Sequence, residues 1–157
     1  MSLIALLTDF GYDDEYVGVM KGVVYSEIEN AKIVDILHNV EPFNVKGAAI
    51  ILKGVVNYFP STTIFVVVVD PGVGTERKSL ILFKNKQVFI GPDNGIFSLI
   101  MDDRAEIFEI DVPKLSLEQI SYTFHGRDIF IRSAIKYIKG EDVKGKSITS
   151  PVRLRFP

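Results

Sequence analysis

The sequence predicts an α/β fold, a three-layer sandwich with a mostly parallel central sheet and helices on both faces. Three observations predict it. Short β-branched runs alternate with helical apolar periods, which is the signature of βαβ units. The run Thr63–Val69 is β-branched or aromatic and suits a central strand buried on both faces. Polar, glycine-bearing segments follow the strands, where ligands bind in open α/β sheets.

Each element follows in order. Leu3–Thr8 is a nearly continuous apolar run and reads as the first strand. Asp13–Ile28 has a helical stripe of Tyr16, Val17, Met20, Val23, Val24 and Ile28. Lys32–Leu37 reads as a second strand. Val45–Tyr58 reads as a second helix with Ala48, Ile51, Leu52, Val55 and Val56 inward. Asn44 is placed to cap it and Pro60 to stop it. Ser79–Phe83 and Gln87–Ile90 flank Lys84-Asn85-Lys86 and read as a hairpin. A short helix is expected over Gly95–Met101 and a strand over Ala105–Ile110. Arg127–Ile138 reads as the last helix, with Ile129, Phe130, Ala134, Ile135 and Ile138 inward. Ser147–Pro157 carries two prolines and no helical period, and reads as a linker or tail.

Composition bounds the function. The 157 residues are enough for one domain with a substantial core. A net charge of −2 argues against broad nucleic-acid binding, which needs a basic face. There is no cysteine, which removes disulfides, thiolate metal sites and a Cys nucleophile. The N-terminus lacks a basic stretch before its short apolar run, and no run approaches the ~20 apolar residues of a membrane helix. A soluble, cytoplasmic protein is expected. The absence of Cys and Trp beside abundant Ile, Val, Lys and Glu hints at a thermophilic source.

Four segments can carry chemistry. In Thr8-Asp9-Phe10-Gly11, Asp9 is either a turn or cap residue or a carboxylate matched to the two hydroxyls of a ribose. The following Asp13-Asp14-Glu15 reads as a complement to a helix dipole rather than a metal site. His38 reads as a hydrogen-bonded structural histidine. Phe43 is either core or a face for an aliphatic or sulfonium group. Asp70-Pro71-Gly72-Val73-Gly74-Thr75-Glu76-Arg77 is the most informative stretch: a carboxylate, two glycines that admit close backbone approach, then a fixed cation. It is neither a P-loop nor a dinucleotide fingerprint, since the lysine of the one and the third glycine of the other are absent. Phe124-His125-Gly126-Arg127-Asp128 opens the last helix, where polar ligands bind. Asn94-Gly95 favours a tight turn. Asp70, Arg77 and His125 together supply an acid, a cation and a titratable base that can orient and deprotonate water.

These motifs resemble a known family. LLTDFGYDDEYVGVMKGV, DILHNVEPFNV, the Phe59–Lys78 segment ending in DPGVGTERK, GPDNGIF and TFHGRD occur in this order. They are similar to those of the SAM-hydroxide adenosyltransferases, relatives of the SAM-dependent fluorinases and chlorinases. The resemblance runs from Leu3 to about Gly140. It implies a catalytic N-terminal α/β domain, here 3–146, with 147–157 beginning a linker to a β-barrel domain that this sequence does not contain. It implies homotrimers, with S-adenosylmethionine (SAM) held between the N-domain of one subunit and the C-domain of its neighbour.

The implied reaction is attack of water or hydroxide at ribose C5′, releasing L-methionine and forming adenosine. SAM is then the substrate, and no metal or cofactor is implied. The family's Asp–Arg–His triad falls on Asp70, Arg77 and His125. A working division of roles has His125 taking or sharing the water proton, Asp70 orienting and Arg77 holding Asp70; the sequence does not assign which of the three accepts the proton. The ribose carboxylate falls on Asp9 and the aromatic contact on Phe43. Phe124 and Asn94 join the substrate-side set. Val73 and Gly126 stand where halogenases carry Thr and Ser, and Asp70 where they carry Tyr, so hydroxide transfer is expected over halogenation. The alternative is a non-catalytic or truncated nucleoside-binding or assembly module of the same fold.

Overall fold

A computed structural model describes residues 2–115 and 124–157. Seven strands form one sheet in the order β2-β1-β3-β5-β4-β6-β7. They are β1 (Leu3–Thr8), β2 (Lys32–Leu37), β3 (Ile64–Val68), β4 (Ser79–Lys84), β5 (Gln87–Pro92), β6 (Glu106–Ile110) and β7 (Lys144–Ser147). The β2, β1, β3 and β5 neighbours pair in parallel, whereas β4, β6 and β7 are added antiparallel. The helices are α1 (Tyr16–Glu27), α2 (Val45–Val55) and α3 (Arg132–Ile138).

The sheet is sandwiched because alternate residues point to opposite faces. Ile4, Leu6, Ile64, Val66 and Ile90 face one layer with Met20 and Val24 of α1 and Ile135 of α3. Ala5, Leu7, Phe65, Val67 and Phe89 face the other with Ala48 and Leu52 of α2. All five residues of β3 are buried, as expected for a central strand. The stacked Phe65 and Phe89 rings, with centroids 5.0 Å apart, fix the register of β3 against β5. Each such fully buried side chain contributes about 1.5–3 kcal/mol relative to exposure.

Element ends follow local chemistry. Asp14 accepts from the Tyr16 amide, so α1 begins at Tyr16 rather than Asp13. The Asn44 side chain caps α2 by accepting from the Gly47 amide at 2.9 Å. A 3₁₀ turn over Val56–Tyr58 then carries the chain to Pro60. The β4–β5 hairpin turns through Asn85 and Lys86, both with positive φ, the backbone that matches strand twist.

Three expectations change. No α-helix forms over Gly95–Met101; the chain makes successive turns there, with Ser98 bonded back to the Gly95 carbonyl. Seven residues opening on a glycine at φ +91° are a poor helix nucleus. The last helix begins as a π-helix, Gly126–Ile131, before α3. Its wider turn brings Ile129, Phe130 and Ile131 all into the core, which a 3.6 period does not do. β7 was not expected, because Lys-Gly-Lys-Ser has little strand propensity; pairing with β6 creates it.

Beyond β7 the chain is extended and lies along the domain. The Val152 amide donates to Asp93, the Leu154 amide donates to Ser98, and Leu154 packs over Gly95. Among the described residues, no helix is long and apolar enough to cross a membrane.

Candidate active site

The strand order reverses between β1 and β3. The chain leaves β1 for β2 on one side and returns to β3 on the other, the crevice where open α/β sheets bind ligands. Thr8 is in register with Val68, so Asp9 and Asp70 emerge from neighbouring strand ends.

Asp70 is buried and held by Arg77 through a two-pronged ion pair. Nε donates to Oδ1 at 2.9 Å and Nη2 donates to Oδ2. The intervening loop makes this possible. Val73 donates to the Asp70 carbonyl, Thr75 to that of Gly72, and Gly74 takes φ +78°. A Cβ at Gly72 would stand 3.1 Å from Arg77 Cγ, so the glycine leaves room for the arginine to fold back. Nη1 also donates to the Ser79 hydroxyl at 3.1 Å, and the guanidinium lies 5.4 Å from the Phe130 ring centre.

Arg77 Nη2 also lies 2.9 Å from His125 Nδ1. An arginine has only protons to give, so Nδ1 accepts and the neutral ring carries its proton on Nε2. His125 is buried at the N-terminus of the π-helix, as placed by the packing of Ile129 and Phe130 behind it. The three triad candidates are therefore one hydrogen-bonded cluster.

Asp9 faces the cluster across a cavity of about 160 Å³. Its Oδ2 accepts from the Phe43 amide at 2.8 Å. Burial raises its pKa above the ordinary carboxylate value, only partly opposed by that hydrogen bond. Phe43 has φ +63° and its side chain is 64% exposed, an unfavourable backbone for a bulky residue. Such strain persists only where surroundings impose it and clusters at functional sites.

Val73 and Gly126 also line this cavity, together with Asp70 and His125. Two expected substrate contacts stand apart. The Asn94 amide donates to the Val69 carbonyl and its oxygen accepts from the Ile96 amide, tying β3 to the β5 turn. The Phe124 ring packs on Tyr16 and under the Arg127 guanidinium, which itself pairs with Asp128. Two lining residues were missed, Phe10 and Val68. The one signal available for Phe10 was its place directly after Asp9, which an aromatic core residue would share. Phe10 explains Gly126: a Cβ there would stand 3.1 Å from its ring.

His38 is 1% exposed and satisfied at both nitrogens, by Thr8 and Asp35. That matches the structural reading of it.

Residues 4–146 match the model of the SAM hydroxide adenosyltransferase N-terminal domain. The chain belongs to that family. It is 34% identical to the (R)-S-adenosyl-L-methionine hydrolase of Methanocaldococcus jannaschii, covering 98% of this chain and 60% of that protein. Identity to the enzyme of the same name from Thermus thermophilus is 32%, over 97% and 63%. A fluorinase from Nocardia brasiliensis is 26% identical over 81% of this chain and 51% of its own. Among solved structures, an uncharacterized conserved protein from Thermotoga maritima superposes with TM-score 0.91 at 41% identity, covering 98% of this chain and 62% of that one. The chain thus spans roughly three-fifths of the length of the hydrolases it matches.

Proposed function

We propose that this cavity hydrolyses SAM to adenosine and L-methionine by attack of water at ribose C5′. The observation that carries the reading is the hydrogen-bonded cluster Asp70–Arg77–His125 opening onto the same cavity as Asp9. The relatives named as SAM hydrolases support it.

The chemistry asks little beyond alignment. The sulfonium is a good leaving group, so the enzyme must hold one oxygen in line with the C5′–S bond. As the C–O bond forms, the C5′–S electron pair moves to sulfur and neutralises it, and the water loses a proton. Each Asp70 oxygen uses one lone pair on Arg77 and keeps another for water. His125 lines the same cavity and, held by Arg77 through Nδ1, helps position the water. In place of the expectation that His125 takes the proton, this reading makes Asp70 the acceptor, because His125 Nδ1 is already engaged by Arg77, which fixes both partners. Asp9 receives the ribose hydroxyls, and Phe43 and Val73 form the apolar side facing the sulfonium end. SAM enters as substrate, and the scheme uses no cofactor or metal.

The described residues enclose about 160 Å³, below the ~300–1,000 Å³ that usually holds a ligand of this size. This favours a second reading, a nucleoside-binding module whose site is completed from outside these residues. In the catalytic reading the adenine and the methionine carboxylate take their contacts from a further domain of a neighbouring subunit, within a homotrimer. The setting is a cytoplasmic enzyme acting on a small molecule.

Incubation with SAM and chromatography for adenosine and methionine tests the proposal, with calorimetry on adenosine alongside. Wild-type protein forms both products. Asp70→Asn, equal in shape, loses at least about 10²-fold in turnover while adenosine affinity stays within about threefold. Equal turnover by wild type and Asp70→Asn sinks the assigned role, and nucleoside binding without turnover selects the module. Sedimentation at micromolar concentration showing only monomer counts against the trimer.

A further inference from the structure

We infer that His38, which takes no part in the water chemistry, is a positioning residue for the nucleoside pocket: it holds the Asp9 turn from below. This rests on the assignment of Asp9 to the ribose. The observations are a connected set of hydrogen bonds. Thr8 Oγ1 lies 2.7 Å from His38 Nδ1 and accepts from the Phe10 amide at 3.2 Å. The His38 carbonyl accepts from the Gly11 amide at 2.6 Å. Asp9 is thus bracketed, with the amides of Phe10 and Gly11 both tied to the Thr8–His38 pair. On its far side, His38 Nε2 lies 2.7 Å from Asp35 Oδ1, and Asp35 pairs with Lys21 of α1. The Tyr12 ring closes the last side, edge-on at 5.2 Å.

One protonation state satisfies every group. If the Thr8 hydroxyl donates to Nδ1, its oxygen remains an acceptor for the Phe10 amide, and Nε2–H donates to Asp35. Thr8 is wholly buried, so water cannot replace a lost partner without cost. Gly11 sits at φ +69°, a bend that an unanchored chain would not hold in one geometry. His38, through Thr8 and its own carbonyl, therefore fixes the backbone that carries Asp9, while the Phe43 amide holds the carboxylate presented to the diol.

The two amides that can replace histidine separate the bonds. His38→Asn places its amide near Nδ1 and keeps the Thr8 link; His38→Gln reaches toward Nε2 and keeps only Asp35. Adenosine affinity, measured by calorimetry on the whole chain, is expected to fall about tenfold in His38→Gln and in Thr8→Val, the loss of one buried hydrogen bond. It is expected to stay near wild type in His38→Asn and Thr8→Ser. Ile135→Val, a core change on α3 remote from Asp9, supplies a control of lowered melting temperature with unchanged affinity. Equal affinity in wild type, His38→Gln and Thr8→Val overturns the inference alone. Affinity losses that track melting temperature across all variants, Ile135→Val included, overturn it in favour of a purely structural histidine. Failure of wild-type protein to bind adenosine overturns the nucleoside-site assignment with it.

Discussion

At the scale of single residues, Asp9 and Asp70 solve opposite problems. Asp70 is a buried charge made tolerable by a two-pronged arginine. Asp9 has only backbone amides for company, that of Phe43 and its own, and burial raises its pKa from the ordinary 3.8. A ligand that needs the ionised carboxylate then binds more weakly as pH falls, with a midpoint above 3.8. Adenosine affinity measured by titration calorimetry across acid pH is expected to show this loss, and Asp9→Asn to bind weakly with a flat profile. The same shift has a stability sign: a raised acid pKa favours the fold below its ordinary value and loses that favour as pH rises through the folded one. Asp9 and Asp70 stood out in the sequence as carboxylates just after apolar strands, with a turn or cap reading beside the site reading, whereas Arg77 and His125 stood out through the motifs they sit in. Phe10 did not, since an aromatic beside a strand is ordinarily core; that it walls a cavity depends on Gly126, a residue far along the chain.

At the scale of elements, α1 and α3 are clasped across the sheet's outer layer by one carboxylate. Glu27 accepts from Arg132 at 2.6 Å and Lys139 at 2.8 Å, and these bonds, Lys139 first, lower its pKa from 4.5 to about 2. The stabilisation is full above 4.5 and is lost as pH falls toward 2. Glu27 is one-third exposed, so solvent screening limits its worth to about 1 kcal/mol at most. Urea melts of Glu27→Gln are expected to fall below wild type by up to that amount near neutral pH and to converge with it near pH 2. Identical melts at every pH would show that the clasp contributes nothing. The central strands β1 and β3 were readable as continuous apolar runs, and both long helices by an apolar stripe near period 3.6. β7 and the π-helix were not. The first exists through its partner, and the second differs from an α-helix by one residue in a stretch that is apolar in either register.

At the scale of the whole molecule, the two apolar faces of one sheet hold everything else in place, and the C-terminal segment adds a third contact. Leu154 covers Gly95, and the Leu154 and Val152 amides are held by Ser98 and Asp93. Leu154→Ala is expected to cost about 1–2 kcal/mol in thermal melts, less than a core leucine because the site is partly open to water. Because Asn94 ties the same turn to the end of β3, loosening the tail is expected to speed amide exchange there before it affects α1 or α3. That three-layer plan was legible from alternation alone. The path of the tail was not, because its anchors are single side chains on a turn distant in sequence.

The π-helix carries a consequence of its own. A single surplus residue in Gly126–Ile131 makes the helix behave as two gears out of phase, roughly one residue's rotation of 100° apart. Downstream, Ala134 and Ile135 mesh with the sheet; upstream, His125 meshes with Arg77. Removing one residue from the surplus turn swings the imidazole away from the second engagement. Such a deletion would act on the His125–Arg77 contact and on the core together, since Ile129, Phe130 and Ile131 are buried in the same turn.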